Sequence, residues 1–257
     1  MDATDWGPQL RFSAPRKLIN EFFDEVGSKL PPFLLYGSGD FHHLTGLCLR
    51  RVQGPIVLVS FDNHPDWDVR PPKWGCGGWV NRALELSQVQ KVSVWGCGNF
   101  ECWWPRQIFG NRRAERSGRL ELHAWANGRA AGDKSRRGAI LPTNWQDHFL
   151  EFLRVVKGHR VYVTIDLDCL VASEAVTNWE NGRFTSADLK WALERLHQQC
   201  QIVAGDICGG FSKPRYARWK QRFASEIDHP KMARPSEDQI RDTNFHTLGK
   251  IWPWLIG

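Results

Sequence analysis

The sequence predicts an α/β fold in which a mostly parallel sheet is covered by helices on both faces. Short runs of apolar and β-branched residues, typical of buried strands, alternate along the chain with segments that carry apolar residues at helical spacing. Alternation of strands and helices favours a parallel sheet between two layers of helices. The carboxyl ends of such strands lie at one edge of the sheet, where binding sites form.

The length and composition of the chain favour a single domain over residues 1–257. Apolar runs are spread evenly along the 257 residues, and no linker rich in Pro, Gly or Ser divides them. Seven scattered cysteines, an odd number, indicate reduced thiols and a cytoplasmic protein rather than a disulfide framework. The acidic N-terminus does not resemble a secretory signal, and no apolar run is long enough to span a membrane.

The basic residues are interpreted as a solvated surface. The formal net charge of +6 is compatible with an anionic partner, but the arginines and lysines cluster in loop-like segments, so nucleic-acid binding is not favoured. Several of the fourteen tryptophans lie in or near the loops that follow predicted strands. Packing is the favoured interpretation and an aromatic-walled pocket the alternative for these tryptophans: Trp67, Trp74, Trp79, Trp103 and Trp104.

The predicted elements follow one another at short intervals along the chain. Their types rest on periodicity, on β-branched content and on capping residues such as Thr185 with Asp188 and Ser236 with Gln239. The predicted strands are 33–36, 55–60, 91–96, 120–125, 138–141, 160–165 and 201–207. The predicted helices are 15–29, 44–52, 145–156, one from Thr185 to near Gln198, 214–223 and one that begins at Ser236.

The strand predicted at residues 55–60 leads into three polar side chains at alternate positions. Asp62, His64 and Asp66 would point to one side of an extended backbone, although Pro65 makes regular strand doubtful beyond His64. Burial of two carboxylates and an imidazole together is costly unless a positive charge compensates them. The pattern therefore indicates a divalent cation at the end of this strand.

Two further predicted strands end in the same kinds of side chain. Residues 160–165 lead into Asp166 and Asp168, and residues 33–36 lead into a segment that contains His42 and His43. A single aspartate at the end of a strand is most often a turn or helix-cap residue. Three such strand ends together favour one shared metal site.

These segments resemble the metal-binding motifs of the arginase/agmatinase/formiminoglutamase (ureohydrolase) superfamily. Residues 39–45 (GDFHHLT), 62–66 (DNHPD) and 165–168 (IDLD) follow the order of the family motifs GGDHSIT, DAHxD and SxDxD. The resemblance implies the arginase-like three-layer α/β/α sandwich over most of the chain. In an ungapped alignment His42 takes the position of the family's ligand, and His43 is the alternative.

The resemblance implies a binuclear metal centre, with manganese as the expected ion because the ligands are mainly oxygens with some imidazole. The two ions would share Asp62 and Asp166, and a hydroxide between them would be the nucleophile that hydrolyses a C–N bond. Asp66 would also accept the proton of that water. The implied ligands are His42, Asp62, Asp66 and Asp166 for one ion and His64, Asp62, Asp166 and Asp168 for the other.

Two departures from the family pattern leave the substrate open. Cys76 stands where the family has a histidine thought to act in proton transfer, so Cys76 is either a catalytic candidate or an inert packing residue. Gly209 stands where arginases and agmatinases have the glutamate that pairs with the guanidinium group. Glu101 or Glu180 could replace that glutamate from a loop.

The favoured function is a metal-dependent hydrolase that acts on a non-peptide C–N bond of a small guanidine, amidine or amide. The alternatives are a non-catalytic arginase-like protein that binds metal or another ligand, and a deacetylase-like amidohydrolase. The complete set of six ligands argues for two ions rather than for one zinc. Because members of the superfamily usually form trimers or hexamers, the resemblance also implies a homo-oligomer, although no interface is identifiable in the sequence.

Overall fold

In the computed structural model, which describes residues 3–231 and 235–257, six strands form one sheet, and every pairing between them is parallel. The strands are β1 (Phe33–Leu35), β2 (Ile56–Phe61), β3 (Val89–Cys97), β4 (Leu120–Ala124), β5 (Arg160–Asp166) and β6 (Gln201–Cys208). Their order across the sheet is β1-β6-β5-β2-β3-β4. The predicted parallel α/β fold is therefore confirmed.

The helices flank this sheet, and short 3₁₀ turns occupy several of the loops. The α-helices are α1 (Gly7–Leu10), α2 (Arg16–Val26), α3 (Thr45–Cys48), α4 (Trp79–Leu84), α5 (Arg112–Arg116), α6 (Ala131–Lys134), α7 (Trp145–Val156), α8 (Ser186–Gln199), α9 (Trp219–Asp228) and α10 (Glu237–Ile256). The 3₁₀ turns are Thr4–Trp6, Gly27–Lys29, Gly39–Leu44, Leu49–Arg51, Cys76–Gly78, Phe100–Cys102, Arg106–Phe109 and Leu167–Cys169.

Alternate residues of the central strands pack into separate hydrophobic layers on the two faces of the sheet. In β2, Val57 and Val59 join a cluster that includes residues of α7, α8 and α10. Their neighbours Ile56 and Leu58 join a second cluster with residues of α4. All six residues of β2 are buried, as expected for a parallel strand covered on both sides.

The strand predictions are confirmed to within two residues at each end, with one exception. Residues 138–141 contribute only an isolated bridge between Ile140 and Trp125, so the predicted strand there is wrong. The two predicted helix caps are present. Thr185 and Asp188 form a capping box at the start of α8, and Ser236 accepts a hydrogen bond from the N–H of Gln239 at the start of α10.

Two helix predictions are wrong in their extent. The helix predicted over 44–52 is divided into the turn Gly39–Leu44, the short helix α3 and the turn Leu49–Arg51, so the histidine motif lies in 3₁₀ conformation. The helix predicted over 214–223 is α9, which begins five residues later. Arg218 adopts an extended backbone there because its guanidinium group donates to the carbonyls of Gln9 and Ser13, at 2.9 and 2.7 Å.

No helix within residues 3–231 and 235–257 combines the length and the apolar character needed to cross a bilayer.

Candidate metal centre

The carboxyl ends of three neighbouring strands bring the predicted site residues together. Because β5 lies between β2 and β6, and all three run in the same direction, Asp62 after β2, Asp166 in β5 and Cys208 in β6 lie at one edge of the sheet. His42 reaches the same edge from the 3₁₀ turn Gly39–Leu44. The strand register thus assembles residues that are far apart in the sequence.

Asp62 and Asp166 form the same backbone turn at the ends of their strands. The Oδ1 of Asp62 accepts the N–H of His64 at 2.7 Å, and the Oδ1 of Asp166 accepts the N–H of Asp168 at 3.0 Å. The other oxygen of each carboxylate faces His42. Its Nδ1 lies 3.1 Å from Asp62 Oδ2 and 3.5 Å from Asp166 Oδ2.

Asp66 completes a first group of potential ligands around His42. Its Oδ2 lies 3.4 Å from His42 Nδ1 and accepts a hydrogen bond of 2.6 Å from the indole N–H of Trp79. Asp66 has a φ of 45°, in the left-handed region that few residues other than glycine adopt. The ligand atoms of His42, Asp62 and Asp66 all lie within 4.8 Å of one another.

A second group is formed by His64, Asp62 and Asp168. The Nδ1 of His64 lies 2.9 Å from Asp168 Oδ2 and 3.7 Å from Asp62 Oδ1. Their ligand atoms also lie within 4.8 Å of one another. Asp62 therefore belongs to both groups, with Oδ2 towards His42 and Oδ1 towards His64. This geometry is suited to a carboxylate that bridges two cations.

Two buried polar atoms of the site are better placed to bind a cation than to form a hydrogen bond with each other. His42 Nδ1 and Asp62 Oδ2 have no hydrogen-bond partner among residues 3–231 and 235–257, although they lie 3.1 Å apart. Both side chains are 1% exposed, so bulk solvent does not reach these atoms. A cation that accepts a lone pair from each atom would offset the cost of burying them.

The electrostatics of the cluster also favour a cation. Among the protein groups alone, burial and the neighbouring Asp62 raise the pKa of Asp66 to about 7. Burial and Asp166 raise the pKa of Asp168 well above its ordinary value. Burial lowers the pKa of His42, but Asp62 and Asp66 outweigh burial and raise it. The carboxylates thus ionise together only at a cost, which the charge of a divalent ion would remove.

The neighbouring His43 lies apart from the carboxylate groups. It is buried, and neither of its ring nitrogens has a hydrogen-bond partner among the described residues. Burial lowers its pKa to about 4, so the ring is neutral at pH 7. The structure therefore places His42, and not His43, beside the acidic cluster.

Asp40, from the same motif, forms a buried ion pair away from this cluster. Its Oδ2 lies 2.6 Å from Arg11 Nε, and its Oδ1 lies 2.6 Å from His229 Nε2. The same Oδ1 accepts the indole N–H of Trp179 at 3.2 Å. Because Trp179 packs edge-on against His64, with ring centroids 5.3 Å apart, Asp40 supports the wall of the site.

A buried network of hydroxyl groups holds His42 from its other side. Thr164 Oγ1 lies 2.9 Å from His42 Nε2 and donates to Asp206 Oδ1 at 2.6 Å. Asp206 also accepts hydrogen bonds from Tyr162 and Thr45, at 2.5 and 3.1 Å. These residues were not predicted, because their role depends on the pairing of β5 with β6 rather than on a local pattern.

Cys208 is a further site residue that the sequence analysis missed. Its Sγ donates to Asp166 Oδ2 at 3.5 Å, and it forms a third group with His42 and Asp166. Its position two residues after Asp206, at the end of a predicted strand, is a weak signal, because the pairing of that strand with β5 is visible only in the structure.

Gly209 follows Cys208 in a conformation that suits glycine alone. Its φ is 98°, and a Cβ atom there would overlap Asp166 Oδ1 and the backbone nitrogen of Leu167. The position at which arginases and agmatinases carry a glutamate therefore cannot hold a side chain in this backbone. Any carboxylate that binds a guanidinium group must come from elsewhere.

A cavity of about 60 Å³ opens above the cluster and is lined largely by carboxylates. Its floor contains Asp62, His64, Asp66, Asp166 and Asp168. Glu101 and Glu180, the two residues considered as replacements for the missing glutamate, line it together with Asp228 from the end of α9. A larger surface groove, of about 640 Å³, contains none of the six predicted ligands.

The carboxylates around the cavity differ in ionisation. Asn99 Nδ2 donates to Glu180 Oε1 at 2.9 Å, and His64 Nε2 lies 3.4 Å from the same oxygen. Burial raises the pKa of Glu180, but His64 outweighs burial and lowers it to about 2. Burial raises the pKa of Glu101 to about 7, and burial also raises that of Asp228. The cavity thus presents negative charge that increases as the pH rises through neutrality.

Cys76 lines the same cavity and is 7% exposed. Burial and the nearby Asp40 raise the pKa of its thiol well above the ordinary value, so the thiol is neutral at pH 7. A neutral thiol is a poor nucleophile. Its catalytic role stays a prediction.

The tryptophans proposed as pocket walls are mostly packing residues. Trp67, Trp74 and Trp103 are buried in hydrophobic clusters, and Trp104 is 74% exposed. Trp79 reaches the site through its hydrogen bond to Asp66 and through a tilted ring contact with His42, with centroids 4.6 Å apart. The indole that lines the cavity belongs to another residue, Trp179.

Comparisons with known proteins agree with this fold. No protein-family model matches the chain. An uncharacterized protein of Thermotoga maritima is 29% identical over 215 residues, which cover 82% of this chain and 72% of that protein. Formimidoylglutamase from Bacillus subtilis aligns at a TM-score of 0.55 with 18% identity, over 82% of this chain and 65% of that one. A manganese-bound triple mutant of the arginase-like protein of T. brucei aligns at a TM-score of 0.51 with 15% identity, over 88% of this chain and 68% of that one.

At such identities the structural likeness shows the fold, and the predicted resemblance is confirmed at that level. The chain spans 55 to 68% of the length of the solved arginase, agmatinase and formiminoglutamase-type chains, and less than two thirds of most of them.

Proposed function

We propose that this chain, whose fold is that of the ureohydrolase superfamily, is a binuclear metal-dependent hydrolase of a C–N bond in a small cationic guanidine or amidine. The observation that carries the proposal is the position of Asp62. Its two carboxylate oxygens face two separate groups of potential ligands, one around His42 and one around His64. A purely structural ion pair would need only one of these groups.

Six residues would hold the metal ions, as the sequence resemblance implies. When bound, a pair of divalent ions supplies Lewis-acid activation of water and substrate. Manganese is our first choice because most of the ligand atoms are oxygens. The proposed ligands are His42, Asp62, Asp66 and Asp166 for one ion and His64, Asp62, Asp166 and Asp168 for the other.

Asp66 is the residue to which we assign acceptance of the proton from the attacking water. It lines the floor of the cavity, and the indole N–H of Trp79 fixes one of its oxygens at 2.6 Å. A fixed carboxylate beside the reacting water is the arrangement that general-base catalysis requires.

The charge around the cavity supports a cationic substrate. Glu101, Glu180 and Asp228 surround a space of about 60 Å³, which accommodates only a few water-sized groups. A guanidinium or amidinium group is small, planar and positively charged, and carboxylates are its natural partners. A neutral amide would leave the carboxylates uncompensated, so we place amides behind guanidines and amidines.

The test is an assay of manganese-loaded protein against a panel of guanidines, amidines and amides, with release of urea, ammonia or carboxylate as the readout. We expect turnover of at least one cationic compound. Asp66→Asn should reduce kcat/KM by about 10²-fold or more, whereas Asp147→Asn, at an exposed position of α7, should not change it. Turnover that survives Asp66→Asn would contradict the role given to Asp66.

The role of Glu101 and Glu180 in recognising a positively charged substrate is tested separately by the variants Glu180→Gln and Glu101→Gln. Each variant should raise KM for a cationic substrate at pH 8 while leaving kcat within about threefold, because uniform binding is lost. An equal rise in KM for a neutral amide would contradict recognition of charge.

A non-catalytic binding protein is the second candidate, favoured by the neutral thiol of Cys76 and by Gly209 in place of a glutamate. Tight binding of a guanidine by the metal-loaded protein, without turnover across the panel, would support this second function and exclude the first.

A further inference from the structure

We infer that Cys208 is a fifth ligand of the metal ion on the His42 side of the centre. The inference rests on the proposed metal centre and adds a sulfur donor to a set otherwise composed of carboxylates and imidazole.

The strand register places Cys208 directly beside Asp166. The two residues are partners in the parallel pairing of β5 with β6, and Cys208 Sγ lies 3.5 Å from Asp166 Oδ2. Asp166 Oδ2 is also the oxygen that faces His42 Nδ1, at 3.5 Å. The sulfur, a carboxylate oxygen of Asp166 and a nitrogen of His42 all lie within 4.8 Å of one another, a spacing compatible with atoms that share one ion.

A second observation points to an ion among these three atoms. His42 Nδ1 is buried in a side chain that is 1% exposed, and it has no hydrogen-bond partner in the described part of the chain. Because Thr164 Oγ1 donates its proton to Asp206, it accepts one from His42 Nε2. When the ring is neutral, His42 Nδ1 therefore carries its lone pair towards Asp62 and Asp166, as a ligand of an ion at this position must.

The other cysteines offer a contrast. Among the described residues, Cys208 is the one cysteine that belongs to a group with metal-binding spacing. It is also 1% exposed and free of any disulfide, and Gly209 fixes the backbone immediately after it. Cys48 is a similarly buried free thiol that belongs to none of the groups and therefore serves as a matched control.

Coordination would convert the thiol to a thiolate, with its proton released to solvent as the ion binds. The charge of a divalent ion lowers the pKa of any thiol that coordinates it. Thiolate is a soft ligand that selects zinc, cobalt or ferrous iron over manganese. The two halves of the centre should therefore differ in preference, with the softer ion on the His42 side.

The experiment uses Co²⁺ as the probe on the full chain after removal of bound metal by a chelator. We expect tight binding of Co²⁺ and a thiolate-to-cobalt charge-transfer band in the near ultraviolet. The band should disappear in Cys208→Ser and persist in Cys48→Ala. In competition, the preference for Zn²⁺ over Mn²⁺ should fall by about tenfold or more in Cys208→Ser.

Stoichiometric Co²⁺ binding without a charge-transfer band, or with a band that Cys208→Ser retains, would overturn the inference and leave the proposed function intact. Failure of the wild type to bind Co²⁺, Zn²⁺ or Mn²⁺ at all would overturn both. If Cys208→Ser does not fold, cadmium-113 NMR of the wild type provides the same test, because a sulfur ligand moves one cadmium resonance far from the shift of an all-oxygen and nitrogen site.

Discussion

His42 and Thr164 form a buried hydrogen bond of 2.9 Å between Nε2 and Oγ1. Since the hydroxyl proton of Thr164 is donated to Asp206, the histidine donates from Nε2, so the neutral ring carries its lone pair on Nδ1. The bond therefore selects the tautomer that can bind a cation on the side of Asp62.

Thr164→Val should weaken metal binding by about 10–100-fold, because it removes the partner that orients a metal-binding histidine while keeping the shape of the side chain. Isothermal titration of chelator-treated protein with Mn²⁺ measures this change. Thr247→Val is the control, since Thr247 is another buried threonine, whose hydroxyl donates to the carbonyl of Glu174. Equal affinities of wild type and Thr164→Val would show that the hydrogen bond does not orient His42.

Gly209→Ala should lower the free energy of unfolding by about 2 kcal/mol or more, since it forces a side chain into the left-handed region against Asp166. It should also weaken Mn²⁺ binding, because Asp166 must move. Urea unfolding checks the first effect. Gly249→Ala, within α10 and with open space around its Cβ, should instead raise stability by about 0.5–1 kcal/mol. A Gly209→Ala variant with unchanged stability and unchanged metal affinity would show that a side chain at this position causes no strain.

Asp40→Asn should destabilise the fold by about 3–5 kcal/mol, because Arg11, whose side chain is 4% exposed, loses its charged partner in the interior. The midpoint of urea unfolding at pH 7 reports the change. Glu85→Gln, which removes the partner of Arg82 at the surface, should change stability by less than about 1 kcal/mol.

The stability that Asp40 contributes should also depend on pH. Burial raises its pKa, but His229 and Arg11 outweigh burial and hold it below the ordinary value of 3.8. The contribution is therefore fully present above pH 3.8 and is lost as the pH falls through the lower pKa of the folded state. The difference in the free energy of unfolding between wild type and Asp40→Asn should decrease at acidic pH. A constant difference down to pH 2 would contradict a stabilising ion pair between Asp40 and Arg11.

In metal-free protein, the contribution of Glu101 to stability should depend on pH in the direction opposite to that of Asp40. Burial raises its pKa from 4.5 to about 7 in the folded state, so its contribution to stability is fully present below pH 4.5 and is lost as the pH rises through about 7. Glu101→Gln should remove this loss, up to about 3 kcal/mol at 1.36 kcal/mol per pH unit, and be more stable than wild type at pH 8. Parallel stability curves for the two proteins between pH 4 and 8 would show that Glu101 is not desolvated.

The sequence was sufficient to predict the strands of the sheet and the carboxylates at their ends, because both are indicated by local sequence patterns. A β-branched run that ends in alternate acids, as at Asp62 and Asp166, specifies a strand and its polar end within a few residues. Parallel topology places both ends at one edge of the sheet, and the pairing of β2 with β5, seen in the structure, makes them neighbours. The choice of His42 over His43 as a ligand stays a prediction, which is supported by the distance of 3.1 Å between His42 Nδ1 and Asp62 Oδ2.

The parts that were missed depend on contacts distant in the sequence. Cys208 joins the site only through its register with Asp166, and Thr164 acts only through its contact with His42. Asp228 reaches the cavity from the end of α9, a helix whose first residue follows Arg218 and its contacts with the N-terminal segment. Such placements follow from tertiary packing, which overrides local propensity.

The most direct test of the metal centre is the number of Mn²⁺ ions retained per chain by wild type and by Asp62→Ala after equilibration with Mn²⁺ and removal of free ion. Because both oxygens of Asp62 face a group of ligands, we predict two ions for the wild type and fewer than one for the variant. A single ion in the wild type, or two ions retained by Asp62→Ala, would contradict a centre that Asp62 bridges.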